Sequence, residues 1–209
     1  MKITKFAHAC FIVEDSGRSV VVDPGNWTDD LTVPENVDAI VITHEHADHL
    51  DKTHLQAIAD KNPDVVMVGH SDVVSQLDGF KTQAAVPNEG VKIGNFELEF
   101  FGGQHAAITA TMPRVANLGV MINNRLYYPG DSFTLPGVPV EILALPVSAP
   151  WMKFSEAAEF LDAVEPRLVF PTHDAILSSV GKGLVDRMAA AVAERIGAKY
   201  QRLAEPLEA

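Results

Sequence analysis

Seven consecutive residues, Thr43-His44-Glu45-His46-Ala47-Asp48-His49, place three histidines and one aspartate within six positions. Neutral imidazole nitrogen and carboxylate oxygen are the donors that Zn²⁺, Mn²⁺ and Fe²⁺ accept, so this density points to a metal site. In a helix His44 would share a face with Asp48, and Glu45 with His49. The helical His-Glu-x-x-His zinc pattern would need a histidine at 48, where Asp48 stands, so that reading fails. A tight loop directs His44 and His46 one way and Asp48 and His49 another, and can feed two adjacent ions. A plain solvent-facing helix start would leave the cluster of donors unexplained.

Ala39-Ile40-Val41-Ile42, directly before the cluster, reads as a buried strand that carries it. Three further candidates stand at similar junctions. The strand Phe96–Phe101 alternates strictly and so buries one face; it runs through Gly102-Gly103 to His105. A hairpin, 118–122 and 126–128, turns at Asn123-Asn124, residues that suit the positive φ angles of a tight turn. It ends Tyr128-Pro129-Gly130-Asp131-Ser132. The strand 166–170 delivers Pro171-Thr172-His173-Asp174.

His-x-His-x-Asp-His behind a hydrophobic strand, followed in order by these three segments, resembles the metallo-β-lactamase superfamily over nearly the whole chain. The resemblance implies an α/β fold, the four-layer αβ/βα sandwich of two mixed or mainly antiparallel sheets with helices on both outer faces. It implies two divalent ions, Zn or Mn, with Fe or Ni also accommodated. His44, His46 and His105 would hold the first; Asp48, His49 and His173 the second; Asp131 would bridge them. A hydroxide shared by the ions would attack an ester, lactone or phosphodiester of a small molecule, with Asp48 also acting as general base. In the resembled family an aspartate at the position of Asp23 orients the metal loop through hydrogen bonds; Asp23 equally suits a plain turn residue. His8, in His8-Ala9-Cys10-Phe11-Ile12, resembles a site-facing histidine in the subgroup of ascorbate-phosphate lactonases and related metal-dependent hydrolases.

The chain departs from those relatives after strand 140–147. Where they carry Pro-Ile-Gly-Gly-x-Phe-Thr-Met, this chain has Pro146-Val147-Ser148-Ala149-Pro150-Trp151-Met152-Lys153-Phe154. Trp151 is a packing residue or a wall of the substrate pocket, and Lys153 a cation for an anionic group. Of the alternatives, iron-dependent redox members include diiron reductases with glutamate where His46 stands and an appended flavin domain, and both features are missing. A metal-binding module without turnover is disfavoured by the full ligand set.

The 209 residues and 22.6 kDa predict one domain, 1–209, with ample material for a core. Short strands are expected at 2–6, 10–14 and 19–22, helices at 53–61, 72–77, 155–164 and 182–196, and a strand at 65–68. Strands at 84–86, 91–93 and 96–101 are expected to form a second antiparallel set. The tail is expected to add an edge strand at 200–203 and then fray. Ser71 and Ser155 are expected to cap helices. Leu184, Met188, Ala191, Val192 and Ile196 form the core stripe of the last helix. His54 is placed on the solvent side of its helix, and His70 has no motif to support it as a ligand. The formal net charge of −12 disfavours nucleic acid as a partner. No membrane segment or signal peptide is evident, and the single cysteine, Cys10, reads as a buried hydrophobe. These features fit a cytoplasmic protein; oligomeric state stays open.

Overall fold

The computed structural model describes all 209 residues. Two seven-stranded mixed sheets face each other. The first is built from β1 (Lys2–Lys5), β2 (Phe11–Asp15), β3 (Arg18–Val22), β4 (Val37–Ile42), β5 (Val66–Gly69) and β6 (Thr82–Ala84). The second contains β7 (Gly90–Ile93), β8 (Phe96–Gly102), β9 (Leu118–Ile122), β10 (Leu126–Tyr128), β11 (Ile142–Pro146), β12 (Leu168–Thr172) and β13 (Lys199–Tyr200). β14 (Leu207–Glu208) then returns to the first sheet beside β1, with Ile3 opposite Leu207.

Helices α1 (Lys52–Lys61) and α2 (Ser71–Val74) cover the outer face of the first sheet. α3 (Phe154–Val164) and α4 (Ser179–Arg195) cover the outer face of the second. Three apolar layers result. Val13, Val20, Val41, Phe100, Val120 and Phe170 are among the buried side chains between the sheets. Leu55, Ile58 and Ile40 pack under α1; Phe160, Leu161 and Leu143 pack under α3. Each sheet thus buries both faces, which is why β4, β9 and β11 read as nearly continuous apolar runs. The expected four-layer sandwich is the observed one.

Topology explains how the site is assembled. β3, β4, β5 and β6 pair in parallel, as do β10, β11 and β12. β8 and β10 both run antiparallel to β9, so β8 shares the direction of β10. The candidate ligands follow the carboxyl ends of β4, β8, β10 and β12, where open α/β sheets place their crevices.

Several local expectations are corrected. The strand expected at 84–86 is Thr82–Ala84 and pairs in parallel with β5 in the first sheet. Its three residues are exposed, so no alternation marks its face. α2 is capped by His70, whose Nδ1 accepts the Asp72 amide at 3.2 Å, and Ser71 is its first residue. α3 begins after Lys153, whose amide donates to Glu156 Oε2 at 2.6 Å, and Ser155 lies inside the helix. α4 starts three residues earlier than expected, at Ser179. Ser178 accepts the Gly181 amide at 3.2 Å, a cap strong enough to carry Gly181 and Gly183 into the helix. Its buried stripe is Val185, Ala189 and Ala193, flanked by Met188, Val192 and Ile196; Leu184 and Ala191 are exposed. The tail does not fray, because Leu207 packs on the inter-sheet core and the Ala209 amide bonds Met1 O at 2.8 Å. No helix is long and apolar enough to cross a membrane.

Candidate metal centre

β4 ends at Ile42, and the loop that begins at Thr43 is fixed from below by Asp23, which directly follows β3. Asp23 is fully buried. Its Oδ1 accepts the Thr43 amide at 2.8 Å, and its Oδ2 accepts the Thr43 hydroxyl at 2.7 Å and His49 Nδ1 at 2.7 Å. The Thr43 oxygen lies 3.1 Å from His44 Nδ1. Because its own proton goes to Asp23, it accepts the His44 N–H. Gly25 lets the loop settle: a Cβ there would sit 1.9 Å from the Asp48 carbonyl oxygen. His54, expected to face solvent, is half-buried with Nδ1 3.2 Å from the Gly25 carbonyl oxygen.

The second sheet supplies the other wall. Gly102 and Gly103 have φ of +94° and +145° and turn the chain from β8 toward His105. His105 Nδ1 donates to Ala106 O at 2.6 Å, and His173 Nδ1 donates to Ser148 O at 2.7 Å. Gly130, at φ +64°, brings Asp131 inward; the Asp131 amide donates to Asn117 Oδ1 at 2.9 Å. Asn117 is buried and ties the end of β10 to the start of β9, a role the sequence did not reveal.

One pattern recurs. His44, His49, His105 and His173 each commit Nδ1–H to an oxygen and aim Nε2 inward, while His46 turns Nδ1 to within 3.0 Å of His44 Nε2. Such anchoring fixes tautomer and ring direction in metal-ligating histidines. Ligand atoms of His44, His46 and His105 lie within 4.8 Å of one another, as do those of His8, Asp48, His49 and His173. Asp131 stands between the groups. Its Oδ1 is 3.3 Å from His49 Nε2, and its Oδ2 is 3.1 Å from His173 Nε2 and 3.3 Å from His105 Nε2.

Charge follows from this crowding. Burial favours neutral carboxyls, yet the imidazoles of His49 and His173 hold Asp131 well below the usual carboxylate range. Burial likewise opposes ionisation of Asp48, but the nearby His173 imidazole, the hydrogen bond from His8 and the charge of His49 outweigh it and lower its pKa. Burial alone would depress His173; Asp131 and Asp48 instead push it up to about 10. His49 is raised despite burial, by Asp131 and Asp23. His44 is kept neutral, its pKa well depressed, mainly by burial. The result is a pair of ionised carboxylates, Asp131 buried and Asp48 half-buried, ringed by imidazoles.

Four buried atoms in this ring have no hydrogen-bond partner: His49 Nε2, His105 Nε2, His173 Nε2 and Asp131 Oδ1. Each unpartnered buried polar atom costs about 1–3 kcal/mol. Four facing one space fit divalent metal, and the nitrogen and oxygen donors suit Zn, Mn, Fe or Ni.

His8 is fully buried with φ 54°, a left-handed backbone uncommon outside glycine. Its Nε2 is 3.0 Å from Asp48 Oδ2, and its Nδ1 accepts the Ala175 amide at 3.4 Å. Accepting at Nδ1 leaves the proton on Nε2, so His8 donates to Asp48. Burial depresses its pKa to about 4. Trp27, in the loop after β3, packs edge-on to His8 at 4.7 Å and is 43% exposed, so it lies on the rim; no motif had marked it. Trp151 donates its indole N–H to Asp131 Oδ2 at 2.7 Å. Lys153 is exposed at the start of α3 and joins none of these contacts.

Fold and donor set together define the class of metal-dependent hydrolases built on the metallo-β-lactamase fold. A family model described as "Beta-lactamase superfamily domain" matches residues 2–173, and the chain belongs to that family. It is similar to Protein Rv0786c of Mycobacterium tuberculosis, 32% identical over 189 residues, covering 88% of this chain and 89% of that protein. It is also similar to UPF0173 metal-dependent hydrolase MJ1163 of Methanocaldococcus jannaschii, 26% identical with 99% of both chains covered. Among solved structures, Igni18, a metallo hydrolase from the archaeon Ignicoccus hospitalis, superimposes with a TM-score of 0.76. It is 19% identical, with 100% of this chain and 98% of that one covered, a likeness of fold.

Proposed function

We propose that the protein binds two divalent ions, Zn or Mn, and hydrolyses an ester, lactone or phosphodiester bond in a small molecule. The observation that carries this reading is the convergence of two donor groups on one shared carboxylate, with four of the buried donor atoms unpartnered. His44, His46 and His105 would hold one ion, Asp48, His49 and His173 the other, and Asp131 both. Bound there, the ions would supply Lewis acidity and bring the pKa of water toward neutrality.

The chain's own groups do the rest. Asp48 is half-buried beside the open side of the cluster, and an ionised Oδ2 can accept a hydrogen bond from an attacking water and orient it. The His8 N–H fixes that carboxylate, so its free lone pairs point into the site. Trp27 and Trp151 flank the histidine ring, edge-on to His8 and beside His105. They exclude water from the sides and offer apolar surface to the body of a substrate.

The test is metal content together with turnover. Protein prepared without chelator should carry two equivalents of metal and hydrolyse members of a panel of lactones, esters and phosphodiesters. Asp131→Ala and His46→Ala should each lose turnover and bound metal while staying folded, because the apolar layers are built independently of the site. Near-normal turnover in either variant would refute the dinuclear assignment.

A further inference from the structure

We propose that Trp151 is a positioning residue: its indole N–H binds Oδ2 of Asp131 and so fixes the rotation of the carboxylate that the two donor groups share. The inference rests on the dinuclear reading above. The last torsion of an aspartate is soft and broad, so a carboxylate placed between two ions can rock, or close onto one of them through both oxygens. Something must set its rotation.

The backbone of Asp131 is already held by Asn117, and its carbonyl accepts the Ala106 amide at 2.8 Å. Those contacts leave the carboxylate free to turn. The Trp151 indole stops it. The N–H is a donor with no acceptor capacity, it is 2.7 Å from Oδ2, and charge-assisted bonds of this length are the strong ones. The ring is steadied edge-on against Phe133 at 5.2 Å. Oδ1, the oxygen left over, is buried and unpartnered 3.3 Å from His49 Nε2.

A second observation on the same segment supports this. Trp151 lies in the connection between β11 and α3, and that connection also provides the Ser148 carbonyl that orients His173. One short segment therefore aims two of the ligands from the second sheet.

The chain has two tryptophans, so a ¹⁵N-labelled sample gives two indole N–H signals, assigned with Trp27→Phe. The Trp151 signal should exchange slowly with solvent, shift when Zn²⁺ is added, and shift in Asp131→Asn. Trp151→Phe keeps a ring against Phe133 and removes only the donor. Its second equivalent of Zn²⁺, measured by competition with a chromophoric chelator, should bind about 10- to 100-fold more weakly, with the far-ultraviolet circular dichroism unchanged. Two equivalents bound as in the unaltered protein would overturn the proposal alone. So would a Trp151 indole signal that exchanges freely and ignores both Zn²⁺ and Asp131→Asn, a result read without any variant of Trp151. Fewer than two equivalents in the unaltered protein would sink the dinuclear reading and this proposal with it.

Discussion

Replacing Asp23 by asparagine separates the support of the metal loop from the metal itself. Asn occupies the same volume and tolerates the left-handed backbone found here, φ 44°. The carboxylate accepts from three donors: the Thr43 amide, the Thr43 hydroxyl and His49 Nδ1. An amide offers one oxygen and one NH₂ group. With its oxygen toward His49, the NH₂ faces the Thr43 amide, donor against donor. Flipped, the NH₂ faces His49 Nδ1, and the His49 proton is driven to Nε2, the atom aimed into the site. Either way one fully buried donor loses its acceptor, at about 1–3 kcal/mol. The first arrangement lowers folding stability in all states; the second lowers metal affinity by about 10- to 100-fold. Urea denaturation of the metal-free protein and chelator competition at pH 7.5 measure the two losses, and their sum should reach at least about 1 kcal/mol. Asp23→Asn with both quantities unchanged would refute the account of how the loop is held.

Gly25→Ala should push the metal loop outward, since the added Cβ meets the Asp48 backbone; a loss of about 3 kcal/mol or more in thermal or denaturant unfolding is expected, with reduced metal content. Metal uptake should release protons, because imidazole must be neutral to ligate and His173 is protonated until about pH 10. Calorimetry in buffers of different ionisation enthalpy should show a buffer-dependent heat, and a buffer-independent heat would contradict the charge state described. The same raised pKa makes the metal-free protein lose stability between about pH 6.5 and 10: protonated His173 stabilises the fold fully below its unfolded pKa, and that contribution disappears as pH rises through the folded value. Cys10 is fully buried and its pKa is raised by burial, so it should stay inert to a disulfide reagent at pH 8 until the protein unfolds.

The layered fold and the grouping of His44, His46, Asp48, His49, His105, Asp131 and His173 were legible because the candidate donors follow apolar strands, two of which end in clear punctuation at Gly102-Gly103 and Pro129-Gly130. What stayed hidden depends on distance in space. Trp27 lies in a polar loop, and only tertiary packing puts its ring on His8. Trp151 read equally well as packing or as a pocket wall, and its bond to Asp131 joins residues 20 apart in the chain. His54 looked solvent-facing because helical periodicity says nothing of a carbonyl from another loop. Errors at the ends of α2, α3 and α4 come from capping by backbone or imidazole groups and by a serine ahead of two glycines. Thr82–Ala84 carried no burial pattern to read.

The candidate ligands are divided between the sheets. His44, His46, Asp48 and His49 hang from β4 of the first, and His105, Asp131 and His173 from β8, β10 and β12 of the second. In the dinuclear reading each ion therefore straddles the seam of the sandwich, and loading closes a clasp across it. Without ions the seam is held at that edge by apolar contact and a few hydrogen bonds. With them, prying the halves apart requires coordinate bonds to break first. Pulled mechanically across the seam, or exposed to a protease that waits for it to open, the loaded protein should yield at the pace of metal escape, and the empty one at the pace of an ordinary hydrophobic interface.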